Sequence, residues 1–553
     1  MYRFPWTFFV IGGIHMSWAN LEDRSERVLG RILLRQAEKN PDQTYIMAGE
    51  DRYSYGRVNE LANSYAAGLN GLGIGRGDTV AVFMESCPEF IFTAFGANKL
   101  GGIWVPTNID YKGEWLRHAL EDSLARVLIA DAALLPRIAD LGGGLPFEKV
   151  VVRGPSDGMD IGIPLMDIRE FSDLPSTEPD QSELSYGDTA AVLWTSGTTG
   201  RSKGVMQSHN SWVRASVNGA LNSCVQENDV LYCCLPLYNS GAWVTAVYRA
   251  LVTGIPMGLD AKFSASKFWD RCRYYQATMI FTLGAMHMFL WQAPERPDDA
   301  DNPIRAASMV PIPDDLIEPM KKRFGIDTID QGYGQSESLA MFARLADGSR
   351  TYKPGSLGDP APGIEIKLLD DEDIEVPVGE TGEFCIRPLE PHVIMNGYFQ
   401  NTEATLEAFR NLWYHTGDLG RCDEEGNYFF VDRKADFIRY GGRNISSFAV
   451  EAAFNAHPAV KQCAAHGVTS AELEVEAELK VVVVLHPGKQ ATPEELARFV
   501  NDNAPYFFIP RYIEFMDELP QTPSARVQKY KLRERGVTPE TWDRKASDFV
   551  IER

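Results

Sequence analysis

The sequence predicts an α/β protein: a large, multi-subdomain N-terminal α/β body followed by a small α+β C-terminal domain. Three observations carry that prediction. Amphipathic stretches alternate with short apolar runs from residue 53 onward, which is the pattern of βαβ units on a largely parallel sheet. The same alternation resumes at Ala190 and continues past residue 330. Near residue 432 the segments become shorter and less apolar, and the alternation breaks.

In order, the first units read as helix YGRVNELANSYAAGLNGLG (55–73), strand DTVAVFM (78–84), helix PEFIFTAFGANKLG (88–101), strand GIWVPTN (102–108), helix EWLRHALEDS (114–123) and strand RVLIAD (126–131). Further buried-strand candidates are VLYCCLPL (230–237), ALVTGIPMGL (250–259), ATMIFTLG (277–284) and TIDQGYG (328–334). In the C-terminal part, FIRYGGRNI (437–445) reads as a hairpin leading into the helix SFAVEAAFNAH (447–457), which Pro458 ends. Strands VKQCAAHGV (460–468) and ELKVVVVLH (478–486) follow. A last helix opens at Thr492-Pro493-Glu494-Glu495, with capping-box spacing and proline at the first helical position.

Composition narrows the function. A chain of 553 residues, 44% hydrophobic and 24% charged, buries a core large enough for several domains and is neither disordered nor disulfide-stapled. Lys plus Arg is 54 against 76 Asp plus Glu, a formal net charge of −22. That field disfavours a sequence-independent grip on nucleic acid or anionic lipid, so an anionic ligand needs a local site. The eight cysteines (Cys87, Cys224, Cys233, Cys234, Cys272, Cys385, Cys422, Cys463) have no Cys-x-x-Cys and no metal-type spacing, which predicts free thiols, no zinc and a cytoplasmic location. The only membrane-like run, WTFFVIGGI at 6–14, is too short to span a bilayer. No stable membrane insertion is expected, and residues 1–20 read as an uninformative extension, Met16 being an alternative start.

The richest local signal is LWTSGTTGRSKGVMQSH (193–209), an apolar strand running into a loop of Thr195, Ser196, Gly197, Thr198, Thr199, Gly200, Arg201, Ser202, Lys203 and Gly204. Glycines let consecutive N–H groups turn toward one anion, hydroxyls add donors, and Lys203 and Arg201 add positive charge. This is phosphate-cradle chemistry without the P-loop spacing, and the glycines at 71, 73, 75 and 77 never form the dinucleotide fingerprint.

TSGTTGRSKG resembles the signature loop of the adenylate-forming superfamily of acyl-CoA synthetases, luciferases and nonribosomal-peptide adenylation domains. Five further motifs follow in that superfamily's order: GYGQSES (332–338), NGYF (396–399), YHTGDLGRCDEEGNYFFVDRKADFI (414–438), GGRNISS (441–447) and PQTPSARVQKYKLR (520–533). GGRNISSFAVE and VQKYKLRE are most similar to the crotonobetaine/carnitine-type and related acyl-CoA ligases. The resemblance implies the adenylate-forming fold, with an N-terminal AMP-binding domain (21–432), a hinge (433–436) and a C-terminal lid (437–553). It also implies two half reactions: a carboxylate attacks the α-phosphate of ATP, giving acyl-AMP and pyrophosphate, and the thiol of coenzyme A then displaces AMP.

Roles follow residue by residue. The loop of Thr195, Ser196, Gly197, Thr198, Thr199 and Gly200 would hold the β and γ phosphates, with Lys203 a point charge on the departing pyrophosphate. Tyr333, with Gly334 and Gln335, would lie against adenine; Ser336 would bond the α-phosphate region; Glu337 would hold Mg²⁺, which prefers hard oxygen ligands. Asp418 would accept both ribose hydroxyls, Arg433 would add a ribose or phosphate contact, and Gly442, beside the loop that approaches the pantetheine tunnel, would be a cofactor-binding residue. Tyr238, Asn239, Trp243 and Gly284 would line the acyl pocket, where Asn239 replaces the histidine of many relatives; Trp243, like Met286 and Met288, also fits ordinary core. Ala435 occupies the hinge slot, Arg443 a common glutamate, and Arg526 the C-terminal lysine that serves adenylation. The function expected is an AMP-forming carboxylic acid:CoA ligase using ATP, Mg²⁺ and coenzyme A on a small-molecule acid, without nucleic acid; homo-oligomerisation is left open. The alternatives are a stand-alone adenylation protein that loads a carrier protein, or a catalytically weakened nucleotide-binding paralogue. A hydrolase based on Ser264-x-x-Lys267 lacks its companion motifs.

Overall fold

Thr79–Phe83, Ile103–Pro106 and Val127–Asp131 bury every residue, as strands covered on both faces must. In the computed structural model, which describes residues 21, 23–195, 202–344, 350–434, 436, 438–440, 443–469, 477–521, 527–547 and 549–551, these strands lie inside an eight-stranded sheet. Its order runs Gly397–Tyr398, Gly204–Ser208, Thr189–Trp194, Ile103–Pro106, Thr79–Phe83, Val127–Asp131, Lys149–Arg153, Leu165–Asp167. The pairing is parallel apart from the two antiparallel pairs at the Gly397 end. A seven-stranded sheet runs from Thr328–Asp330 through Ala306–Val310, Met279–Leu283, Leu231–Cys233 and Met257–Leu259 to the hairpin Thr44–Ala48/Asp51–Ser54. Between them lies an aromatic core in which Tyr45 stacks on Tyr55 at 4.4 Å and Trp104 meets Trp243 at 4.4 Å.

The run 250–259, expected as one strand, is split: the helix Tyr248–Thr253 occupies its first part and only Met257–Leu259 is strand. Gly254 at φ 77° ends the helix in the left-handed conformation, and periodicity alone does not distinguish a short buried helix from a strand. The βα alternation also stops earlier than the change of pattern at 432. Ile364–Leu369 joins a four-stranded sheet with Thr381–Pro388, Tyr414–Cys422 and Tyr428–Arg433, whose last three strands pair antiparallel.

The described residues fall into two compact units, one within 21–195, 203–365 and 387–407, the other comprising Ser202 and those within 366–386 and 408–553. In the second, Val460–Thr469, Ala477–Leu485, Tyr512–Phe515 and Trp542–Asp543 form a sheet against which helices Ser447–Asn455 and Pro493–Asn503 pack. Thr492 and Glu495 make the reciprocal cap expected of them. All eight cysteines are free thiols. No helix among the described residues is long and apolar enough to cross a membrane.

Candidate active site

In the first unit, Thr195 and Lys203, which flank the loop expected to hold phosphate, are held together as the two ends of a hairpin. Thr195 N–H donates to the Lys203 carbonyl at 3.0 Å, continuing the antiparallel pairing of Thr189–Trp194 with Gly204–Ser208. A side chain at Gly204 would lie 2.7 Å from Val192 Cγ1, so the hairpin closes only with glycine there. Ser196, Gly197, Thr198, Thr199 and Gly200 lie outside the described residues.

Tyr333 pairs with Phe342 in a short antiparallel ribbon, and Gln335 N–H donates to Ser338 O at 2.9 Å. That turn requires Gly334, whose Cβ would stand 2.6 Å from Leu339 O. The Gln207 amide, from the phosphate hairpin, donates to Ser336 O. The Glu337 carbonyl accepts from Met395 N–H at 2.8 Å, and Glu337 Oε1 accepts from the Tyr398 hydroxyl at 3.0 Å. Lys203 Nζ lies 4.8 Å above the Tyr398 ring. The structure therefore brings Lys203 and Glu337 together on Tyr398, one at its ring face and one at its hydroxyl, and holds Ser336 by Gln207. Gln207, in the 193–209 segment, and Tyr398, in NGYF, join them, although the sequence assigns neither a role.

Asp330, buried where the strand enters the Gly332–Tyr333 ribbon, was also missed. Burial pushes its carboxyl up, against hydrogen bonds from Ser308 and Ser223 and the charge of Arg249. It anchors the strand that presents Tyr333.

At the expected acyl end, Tyr238 is partly buried, and burial, with Asp110 and Tyr111 nearby, pushes its phenol up to about 12. Asn239 precedes the helix Ser240–Ala242 without capping it by its side chain. Trp243 is fully buried; its Nε1 donates to Leu237 O at 2.7 Å and its ring packs on Trp104, Phe90 and Tyr248. Gly284 opens the helix Gly284–Gln292. His287 fastens that helix, bonding Thr282 Oγ1 at 3.1 Å and Pro311 O at 2.9 Å.

In the second unit, Asp418 is buried and sits opposite Arg433 in the strand register, with Arg433 Nε 3.7 Å from its carboxylate. The preceding Gly417, at φ 72°, makes a bulge within the strand Tyr414–Cys422, and its N–H donates to Glu383 Oε1 at 2.9 Å. Glu383 Oε2 faces Lys434 Nζ at 3.1 Å, His415 Nδ1 at 3.3 Å and Arg410 at 3.5 Å. Glu383, Cys385 and His415 bring three metal-type ligand atoms within 4.8 Å of one another. The ammonium of Lys434 and the guanidinium of Arg410 nevertheless crowd the carboxylate that an ion would need, and burial pushes the Cys385 thiol up. The cluster is thus an ion-pair brace for the Gly417–Asp418 bulge. Lys529 is engaged by Ser447 Oγ at 2.6 Å and Glu451 at 2.8 Å. Ala435, Gly442 and Arg526 lie outside the described residues.

Comparison with known proteins matches residues 33–399 to the AMP-binding enzyme family and residues 449–526 to the AMP-binding enzyme C-terminal domain. A crotonobetaine/carnitine–CoA ligase of Salmonella agona (strain SL483) is 31% identical over 490 residues, covering 87% of this chain and 93% of that enzyme. Among solved structures, an anthranilate CoA ligase in complex with anthranoyl-AMP superposes with a TM-score of 0.80 at 25% identity, over 92% of this chain and 97% of that one. ATP-bound MatB from Rhodopseudomonas palustris gives 0.80 at 25% identity, over 92% and 98%. The chain belongs to the AMP-binding enzyme family.

Proposed function

We propose that this enzyme, an ATP-dependent, AMP-forming carboxylic acid:CoA ligase, runs both half reactions with the residues assigned above. The observation that carries the assignment is the meeting of Lys203 and Glu337 on Tyr398 beside the hairpin that Thr195 and Lys203 close. Joining a carboxylate to a polyphosphate requires two anions to approach, so positioned donors and cations dominate the catalysis. Lys203, with the 195–200 loop, neutralises the departing pyrophosphate. Tyr333, Gly334 and Gln335 seat adenine, Ser336 orients the α-phosphate, and Asp418 with Arg433 holds the ribose.

The Glu337 carboxylate, its orientation fixed by a phenol on one oxygen, is a hard-oxygen donor of the type Mg²⁺ takes alongside phosphate oxygens. When bound there, the ion supplies charge neutralisation between phosphates. Tyr238, Asn239 and Gly284 border the acid, with Trp243 packed behind them. Residues 433–436 serve as hinge between a 21–432 body and a 437–553 lid, Gly442 binds cofactor beside the loop that approaches the pantetheine tunnel, and Arg526 replaces the adenylating lysine. The protein acts in the cytoplasm on a small-molecule acid, with coenzyme A as acceptor.

The test is acid-dependent pyrophosphate release across short, branched, aromatic and steroid-like acids, with and without coenzyme A. Pyrophosphate release with one class, and acyl-CoA formed when coenzyme A is added, is the expected result. Nucleotide binding with no pyrophosphate release from any acid overturns the assignment in favour of a non-catalytic paralogue. Transfer to a carrier protein but not to coenzyme A selects the carrier-loading alternative.

A further inference from the structure

We propose that Tyr398 is a positioning residue that couples the metal-binding carboxylate to the phosphate-loop lysine; the inference rests on the roles proposed above for Glu337 and Lys203. The strand Gly397–Tyr398 pairs antiparallel with Gly204–Ser208, placing Tyr398 opposite Val205, two residues beyond Lys203. Main-chain bonds lock this register: Phe399 N–H donates to Gly204 O at 2.7 Å, and Asn396 N–H to Met206 O at 2.8 Å. One residue earlier, Met395 N–H holds the Glu337 carbonyl at 2.8 Å. A five-residue stretch, 395–399, therefore grips the backbone beside both proposed ATP-handling groups.

The side chain of Tyr398 completes that grip, because its two chemically distinct parts serve two partners. The hydroxyl donates to Glu337 Oε1 at 3.0 Å, which fixes the orientation of the carboxylate that takes the cation. The ring face receives Lys203 Nζ at 4.8 Å, an attraction to the electron-rich face that holds the ammonium without consuming its three donors. Two opposite charges that must act on neighbouring phosphates are thereby kept apart by an aromatic spacer. Outer residues that orient a metal-binding carboxylate are typically worth about 10- to 100-fold in metal affinity or activity.

Tyr398 is also largely buried, so packing must be separated from positioning. Tyr398→Phe keeps the ring and removes the hydroxyl; Tyr398→Leu removes both functions. The probes are ATP and Mg²⁺, which require no knowledge of the acid: the dissociation constant of ATP is measured with and without Mg²⁺, alongside the melting temperature. Tyr398→Phe should melt like the parent and bind metal-free ATP like the parent, while losing about 10-fold of the Mg²⁺-dependent gain in affinity. Tyr398→Leu should in addition weaken metal-free ATP binding, because Lys203 loses its seat. Glu337→Gln should abolish the Mg²⁺ gain, and adding Tyr398→Phe to it should change nothing further.

A parental Mg²⁺ gain in Tyr398→Phe, with the gain lost in Glu337→Gln, overturns this inference and leaves the metal assignment standing. A parental gain in Glu337→Gln overturns the metal assignment and the inference with it. An effect of Tyr398→Phe that persists in the Glu337→Gln background overturns the coupling.

Discussion

Replacing Glu383 by Gln tests whether the strand bulge at Gly417–Asp418 is held by a charged brace. The carboxylate is almost fully enclosed, with a side-chain exposure of 4%, and it accepts from Gly417 N–H at 2.9 Å while facing Lys434 at 3.1 Å and Arg410 at 3.5 Å. Gln keeps the shape and an acceptor for Gly417, so the loss is the charge. Turning a charge-assisted hydrogen bond into a neutral one costs about 1 kcal/mol. Lys434 and Arg410 are 39% and 40% exposed, so solvent screens both pairs and each adds only about 0.5 kcal/mol. The sum is about 2 kcal/mol, which for a unit of this size lowers the melting temperature by roughly 4–8 °C.

The pH dependence gives a second reading of the same variant. Burial alone would raise the Glu383 carboxyl, but the Gly417 N–H and the Lys434 ammonium outweigh it and hold the group below its ordinary value of 4.5. A carboxyl depressed on folding contributes stability above its unfolded value and loses it as pH falls through the lower folded one. The gap between the parent and Glu383→Gln should therefore be constant near pH 7 and narrow below about pH 4.5. Thermal melts across pH, with ATP binding measured beside them, provide the assay. Coincident melts at pH 7, or a gap that ignores acidification, would refute the brace, as would a melting temperature raised by Zn²⁺, which would mean the cluster takes a metal.

Lys203→Ala and Glu337→Ala should each lower acid-dependent ATP–pyrophosphate exchange by on the order of 10² or more, since each removes a charge interaction from the transition state; exchange near the parental rate in both would sink the site. Glu514→Gln should destabilise the second unit by about 3–5 kcal/mol, because it strands the fully buried Lys480 ammonium in the sheet, and urea melts that match the parent would count against it. Arg526→Ala should lose adenylation selectively while Arg526→Lys matches or exceeds the parent, measured as separate half reactions. Parental adenylation in the alanine variant would remove that position from the chemistry.

Much of the fold was legible because its strands and helices carry their own periodicity: the largely apolar runs at 79–83 and 127–131 became buried parallel strands, and Thr492 and Glu495 formed the cap their spacing demands. Legibility failed where neighbours decide. Residues 250–253 are as apolar as a strand, and only the left-handed Gly254 and the core around Trp243 make them helix. At the site, a motif reports residues adjacent in sequence, so Lys203 and Glu337 stood out from their own loops. Glu383 carries no such signal, because its partners Gly417 and Lys434 come from strands 414–422 and 428–433 and the turn after them, brought alongside only by antiparallel pairing.

This difference has a mechanistic root. A group that touches ATP works through its own chemistry, and the local backbone that presents it must travel with it: Gly334 is required by the turn that carries Gln335 and Ser336. A group that holds such a residue in place needs only to arrive at the right distance, and any segment the sheet brings there can supply it. Tyr398 and Glu383 are both of this second kind, each a single side chain whose partners stand far away in sequence. Substitutions at such positions should change how tightly nucleotide and metal are held more than they change the chemistry itself, whereas substitutions at Lys203 should do the reverse. The ratio of those two effects, measured in the same variants, distinguishes residues that perform the reaction from residues that keep them in register.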